Sequence, residues 1–183
     1  MTFSLSRDRD EDRYTTPMSG PSSVIQINVS RGGIPKRPVS EAALTSHGLE
    51  GDSCAHPRFH GGPMKAVLLI ASETIDELRA KGYPVFYGAL GENFTTRGLD
   101  YSQLRPGERL RIGAALIELT TIRVPCITLD IYGPSIKHEI FDAKVKAGDF
   151  SSAHWALSGF YARAIDAGRI HTGDSIIIES VLA

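Results

Sequence analysis

The chain of 183 residues is long enough for one domain with its own hydrophobic core. A net charge of −1 lacks the basic excess of a nucleic-acid-binding protein, and 42% apolar with 22% charged residues is the composition of a globular protein. Two cysteines, Cys54 and Cys126, are too few for a disulfide scaffold and fit reduced thiols in a cytoplasmic protein; no apolar run reaches the length of a membrane-spanning helix, and the N-terminal residues lack the apolar segment of a secretory signal.

Residues 1–22 read as a flexible tail. Basic and acidic residues alternate from Arg7 to Arg13, then Thr, Pro, Ser and Gly follow, and such a stretch has little to bury. Met18 is an alternative start, because patterned sequence begins just after it. A single domain is expected over 23–183. "SVIQINVS" (23–30) alternates apolar residues and predicts a strand. "RGGIPKRPVS" and "HPRFHGGP" read as loops, and "MKAVLLIA" (64–71) as a buried strand. "SETIDELRAKG" (72–82) predicts a helix, capped by Ser72, with Ile75 and Leu78 on one face and Gly82 at its end. "GALGENFTTRGLD" is loop and short strand. "ERLRIGAALIELTTIRV" (108–124) predicts a hairpin turning near Gly113 and Ala114. A helix is expected over 135–148, then two strands in "GFYARAIDAG" and "TGDSIIIES". Many short strands, frequent Gly and Pro, and no strict strand–helix alternation predict an all-β, barrel-like fold with one to three peripheral helices.

Candidate chemistry gathers in a few stretches. Cys126 follows Pro125 at the end of an apolar strand. Proline cannot continue a ladder, so the thiol is expected at a rim, with Arg123 as a nearby cation. It reads either as a small buried hydrophobe or as a reactive or ligating thiol. His60-Gly61-Gly62, followed by Lys65, allows backbone to approach a ligand closely, although a plain turn before a strand reads the same. Arg31, Lys36, Arg37, Arg58, Lys65, Arg97, Arg123 and Arg163 would make an anion pocket if several converged, and solvated surface if they did not. Gly91-Glu92-Asn93 offers an amide and a carboxylate suited to a heterocycle. Cys54, His56 and His60 are close in sequence, but their spacing is not that of a zinc finger. Phosphate-binding P-loop, serine-hydrolase and H-E-x-x-H motifs are missing.

Together, "GLEGD" (48–52), "HGGPMKAV" (60–67), "GALGENFTTRGLD" (88–100), "RPGERLRIGAALIELT" (105–120), "PC" (125–126) and "FYARAIDAGRIHTGDSI" (160–176) resemble, in this order, the MOSC domain. That is the C-terminal domain of molybdenum cofactor sulfurases, also found as small stand-alone bacterial proteins. The resemblance implies a β-barrel-like fold and a pocket for the molybdenum cofactor (molybdopterin). It implies that Cys126 is the catalytic thiol and molybdenum ligand, and it implies reduction of small N-hydroxylated compounds such as amidoximes and hydroxylamino-purines. Lys36, Lys65, Arg123 and Arg163 would then hold the phosphate and pterin, with His60, Gly61, Gly62 and Asn93 lining the pocket. Electrons would come from a separate flavin or iron–sulfur protein. Two alternatives stay open: a carrier that holds a persulfide on Cys126, and a non-catalytic carrier of the cofactor. Cys54 departs from the family, which has charged or polar residues after GLEGD.

Overall fold

The computed structural model describes residues 20–55 and 57–179. Its strands are β1 (Ser23–Val29), β2 (Arg37–Val39), β3 (Glu41–Thr45), β4 (Gly48–Leu49), β5 (Val67–Ala71), β6 (Phe94–Arg97), β7 (Arg109–Ile112), β8 (Ala115–Ile122), β9 (Phe160–Asp166), β10 (Gly168–His171) and β11 (Ile176–Glu179). Four short helices decorate them: α1 (Pro57–His60), α2 (Ser72–Ala80), α3 (Ile136–Ile140) and α4 (Ala143–Lys146). The expected tail over residues 1–22 lies outside the described residues as far as residue 19. At Ser22 the chain is already tied in, donating to the Gly98 carbonyl and accepting from the Ile176 amide.

An eight-stranded sheet runs in the order β11-β7-β8-β9-β5-β6-β1-β2, and a three-stranded sheet in the order β10-β3-β4. The large sheet curls until β1 meets the start of β11, through a Ser23–Ser175 bridge and a Val24 N–H bond to the Asp174 carbonyl. The architecture is therefore barrel-like without a continuous closing ladder. Pairing is antiparallel except between β5 and β6, which α2 connects as one strand–helix–strand unit.

The alternation of side chains along β5 explains its unbroken apolar run. Val67, Leu69 and Ala71 enter the core inside the curl with Ile27, Phe94 and Phe160. Leu68 and Ile70 point the other way, into a second cluster with Ile75, Leu78, Leu90 and Ile136 under α2 and α3. A strand buried on both faces needs no polar positions. Each large side chain taken fully from water contributes roughly 1.5–3 kcal/mol, so Phe94 and Phe160 are major terms of the inner core.

The hairpin turns where the sequence predicts, at Gly113 and Ala114. Helix α2 ends on Gly82 with a left-handed φ of 92° and two closing bonds, Gly82 N–H to the Arg79 carbonyl and Tyr83 N–H to that of Leu78. Four expectations are corrected. Ser72 does not cap α2: Ala71 is the cap position, and the Ser72 hydroxyl donates to Glu73. Residues 63–65 form a 3-10 turn before β5. Residues 37–39, expected in a loop, pair with β1. The helix expected over 135–148 breaks at Phe141, whose extended backbone (φ −159°) lets Asp142 cap α4 by accepting from Val145 N–H. Among the described residues no helix is long and apolar enough to cross a membrane.

Candidate functional site

Loops from all along the chain meet at one rim of the curled sheet and enclose a cavity of about 310 Å³. That volume lies within the range of small-molecule sites, roughly 300–1,000 Å³. The wall comes from the loop after β1 (Gly33, Ile34, Lys36), the β4 turn (His47 to Leu49), the 52–55 segment, the His60–Lys65 stretch, Gly91 and Asn93, and the segment after β8 with Arg123 and Cys126. Tyr161 of β9 and Leu68 of β5 form the floor, both from the outward face of their strands. HGGPMK and TTIRVPC thus open onto the same space.

Glycine permits two close approaches here. Gly48 has a φ of +121°, and a Cβ added there would lie 2.7 Å from the Ala66 carbonyl oxygen. Gly91 has a φ of +90°, and its Cβ would lie 3.0 Å from Ile34 Cγ2. Gly48 lets backbone approach backbone at the cavity wall, and Gly91 lets the Ile34 side chain pack against its Cα.

Asp52, the last residue of GLEGD, organises one side of the site. Its Oδ1 accepts from Ser30 N–H at 2.8 Å, and its Oδ2 accepts from Asn93 Nδ2 at 2.8 Å and from the Lys36 ammonium. Asn93 in turn accepts the Leu68 N–H on Oδ1 at 3.1 Å and donates to the Asn28 carbonyl. Lys36 and Asn93 therefore line the cavity, but their polar groups are already occupied by the network that joins β1, β5 and the 52–55 segment.

The opposite side is built on Tyr161 and Arg123. The Tyr161 hydroxyl shares a 2.8 Å hydrogen bond with His60 Nδ1, and the Lys65 ammonium stands 5.3 Å from its ring centroid. Burial pushes the Tyr161 phenol up to about 12, against the pull of the nearby Arg123 guanidinium, so it is neutral at physiological pH. Arg123 is 3% exposed and donates from Nη2 to the Leu90 carbonyl at 3.1 Å. Its Nε and Nη1 are buried and meet no acceptor at hydrogen-bond geometry, although the Tyr161 hydroxyl stands close enough to interact with the guanidinium. Burial lowers its pKa, offset by Tyr161, Cys126 and Glu92 close by. Glu92 sits behind it, wholly buried, with Oε1 taken by Gly88 N–H and Thr95 and Oε2 unpartnered. Burial drives the Glu92 carboxyl up, so it neutralises Arg123 poorly.

Cys126 ends the segment after β8 and lines the cavity half-exposed, its Sγ 2.7 Å from Thr128 Oγ1. Cys54 lines the same cavity and is exposed. His56 lies outside the described residues, so the Cys54–His56–His60 grouping is not described; among the described residues no cluster of three or more His, Cys, Asp or Glu side chains could hold a metal ion.

Of the eight basic residues singled out in the sequence, Lys36, Lys65 and Arg123 line the cavity. Arg163 does not. It lies on the outward face of β9, as Tyr161 does, but two residues further along, directly opposite Glu118 of β8, whose carboxylate takes Arg163 Nη2 at 2.8 Å and also Arg109. Strand alternation puts Arg163 on the right face, and the cross-strand acid holds it away from the rim. Arg97 is likewise directed outward, to Asp76 and Tyr87. Sequence reasoning missed Tyr161 and Asp52. "GLEGD" and "FYARAID" contain them, but nothing local in either stretch marks the polar group that faces the cavity.

Residues 56–177 match the sequence profile of the MOSC domain. The chain belongs to the MOSC family. It is 30% identical over 148 residues to the uncharacterized protein YflK of Bacillus subtilis and 33% identical over 124 residues to protein YiiM of Escherichia coli. Those alignments take in 79% and 63% of this chain but 62% and 50% of the relatives, so it spans little more than half their length. The crystal structure of YiiM from Geobacillus stearothermophilus superposes with a TM-score of 0.64 at 25% identity, over 87% of this chain and 76% of that one. YiiM from Escherichia coli has a TM-score of 0.61 at 24% identity, over 91% and 72%, and shows the same fold. MOSC proteins are associated with the molybdenum cofactor.

Proposed function

We propose that the cavity binds the molybdenum cofactor, with Cys126 as the metal's protein ligand, and that the protein reduces small N-hydroxylated compounds with electrons from a separate flavin or iron–sulfur protein. The observation that carries this reading is the meeting, in one cavity, of a half-exposed thiol with a buried arginine that has two unpartnered donors. Leaving a buried guanidinium N–H unpaired costs about 1–3 kcal/mol per group, a cost that an incoming acceptor removes. A phosphate offers several acceptors in the geometry of the arginine fork. The residues present fit the cofactor. A soft thiolate suits a metal held by sulfur, Arg123 and Lys65 suit a phosphate dianion, and Gly61, Gly62 and Gly91 let a flat ring lie against backbone.

When bound, the cofactor would supply a redox metal able to pass an electron pair to an N–O bond. Replacing that bond by N–H consumes two electrons and two protons and releases water. The chain's part in this is positional and protic. The neutral Tyr161 hydroxyl, bonded to His60 Nδ1, holds a proton inside the cavity and is the proposed donor to a leaving hydroxyl. Leu68 and Leu90 keep the floor apolar and limit water. Glu92, behind Arg123, is held toward its neutral form and leaves the guanidinium charge uncompensated for an incoming anion.

The test is reduction of an amidoxime and a hydroxylamino-purine by cofactor-loaded protein with an artificial reductant. Turnover that disappears in Cys126→Ser, with the fold intact, is the expected result. Loaded protein that reduces neither substrate refutes the reductase reading, while its molybdenum content still reports on cofactor binding.

A further inference from the structure

The two cysteines of the chain stand far apart in sequence, yet both line the one cavity. We propose that Cys54 and Cys126 form an oxidisable pair: on meeting a small disulfide they close an internal disulfide across the cavity, which removes Cys126 as a metal ligand. The loss of the ligand rests on the function proposed above; the disulfide itself does not.

Three observations carry it. Both thiols are free, Cys54 exposed and Cys126 half-exposed, so a small reagent reaches either. Both line the cavity together with Tyr161, and both lie near enough to its hydroxyl to act on it electrostatically. The segment that carries Cys54 is exposed from Ser53 to Ala55, and Ser53 is fixed at the rim by its N–H bond to the Ser30 carbonyl at 2.7 Å and its bridge to Arg31. That anchor keeps Cys54 beside the cavity, with its own side chain exposed. A disulfide needs the two Cα atoms within roughly 7 Å, so the closed form draws this segment toward Cys126.

The chemistry balances with glutathione disulfide as oxidant. The Cys126 sulfur attacks one glutathione sulfur; the glutathione S–S bond breaks, a mixed disulfide forms, and one glutathione leaves as thiolate. The Cys54 sulfur then attacks the Cys126 sulfur and expels the second glutathione. Two protein thiols become one disulfide, one glutathione disulfide becomes two glutathiones, and the two thiol protons end on them. The second step is intramolecular, which raises its effective concentration far above that of a competing thiol in solution.

The test uses the full chain, purified without cofactor and equilibrated with reduced and oxidised glutathione, then read by peptide mass spectrometry without reduction. The wild type is expected to yield a Cys54–Cys126 cross-linked peptide with no retained glutathione. Cys54→Ser is expected to retain glutathione on Cys126. Retention of glutathione on Cys126 in the wild type to the same extent as in the variant, or cross-links only between chains, overturns the proposal. Oxidised wild type should then fail to take up molybdenum until treated with a dithiol, and equal uptake by both forms overturns the switching role. Failure of the reduced protein to load molybdenum strikes the cofactor reading instead, and the cross-linked peptide decides the disulfide separately.

Discussion

Two polar clusters are buried within the same rim, and they are finished to different degrees. In the Asp52 cluster both carboxylate oxygens are used, by Ser30, Asn93 and Lys36, and Asn93 uses its own amide on Leu68 and Asn28. In the Arg123 cluster, Nε, Nη1 and Glu92 Oε2 have no partner. Fully paired buried polar groups rigidify a fold, whereas half-paired ones are a standing cost unless something else completes them. The contrast separates scaffold from site. Asp52 rivets the loops together, and Arg123 keeps the donors that the proposed ligand would complete.

The largest effect is expected from breaking the rivet. Asp52→Ala strands the Lys36 ammonium and leaves Ser30 N–H and the Asn93 amide short of an acceptor, so urea unfolding of the cofactor-free protein should show a loss of about 3–5 kcal/mol. Arg123→Met should cost the cofactor-free protein less than half as much, because it removes a poorly satisfied buried charge, yet it should abolish molybdenum retention. Similar stability losses in the two variants would erase the distinction between the clusters. Lys65→Glu, at the cavity wall, should weaken cofactor retention several-fold more than Lys81→Glu, whose ammonium lies outside the cavity between Glu77 and Glu139. Equal molybdenum content after gel filtration would contradict that.

The smallest effect concerns pH. Burial keeps the Glu92 proton on in the folded state to a higher pH than in the unfolded chain. Above the ordinary carboxylate range, and up to that raised value, the folded state holds more protons. Stability from this group is therefore complete below the window and declines as pH rises through it. Glu92→Gln should flatten that part of the stability curve of the cofactor-free protein, measured by thermal melts from acid to neutral pH. An unchanged slope would mean that Glu92 is ionised throughout.

The sequence made strands legible where one period ran long enough. β1, the β7–β8 hairpin and α2 each carry their own pattern and their own stop signal, such as the left-handed Gly82. The small β10-β3-β4 sheet was invisible because its strands are two to five residues long and their partners lie far along the chain. The helix break at Phe141 depends on the next residue, Asp142, whose carboxylate caps α4 and also holds Ser152 and His154, contacts that no local window displays. The cavity followed the same rule. Motif order pointed to the stretches carrying His60, Lys65, Arg123 and Cys126, but Tyr161 meets His60 across 101 residues, and only the folded sheet brings them together. Arg163 shows the converse. Its residue type and its face of the strand suit a pocket, and a facing Glu118 decides otherwise.

The central claim, that Cys126 and Arg123 together make a molybdenum-cofactor site, is tested most directly by molybdenum per chain after purification from cells with ample cofactor. The account predicts near-stoichiometric metal in the wild type and in Cys54→Ser, with little in Cys126→Ser and Arg123→Met, all four proteins being folded by circular dichroism. Metal-free wild type under those conditions, or equal metal in all four, would contradict it.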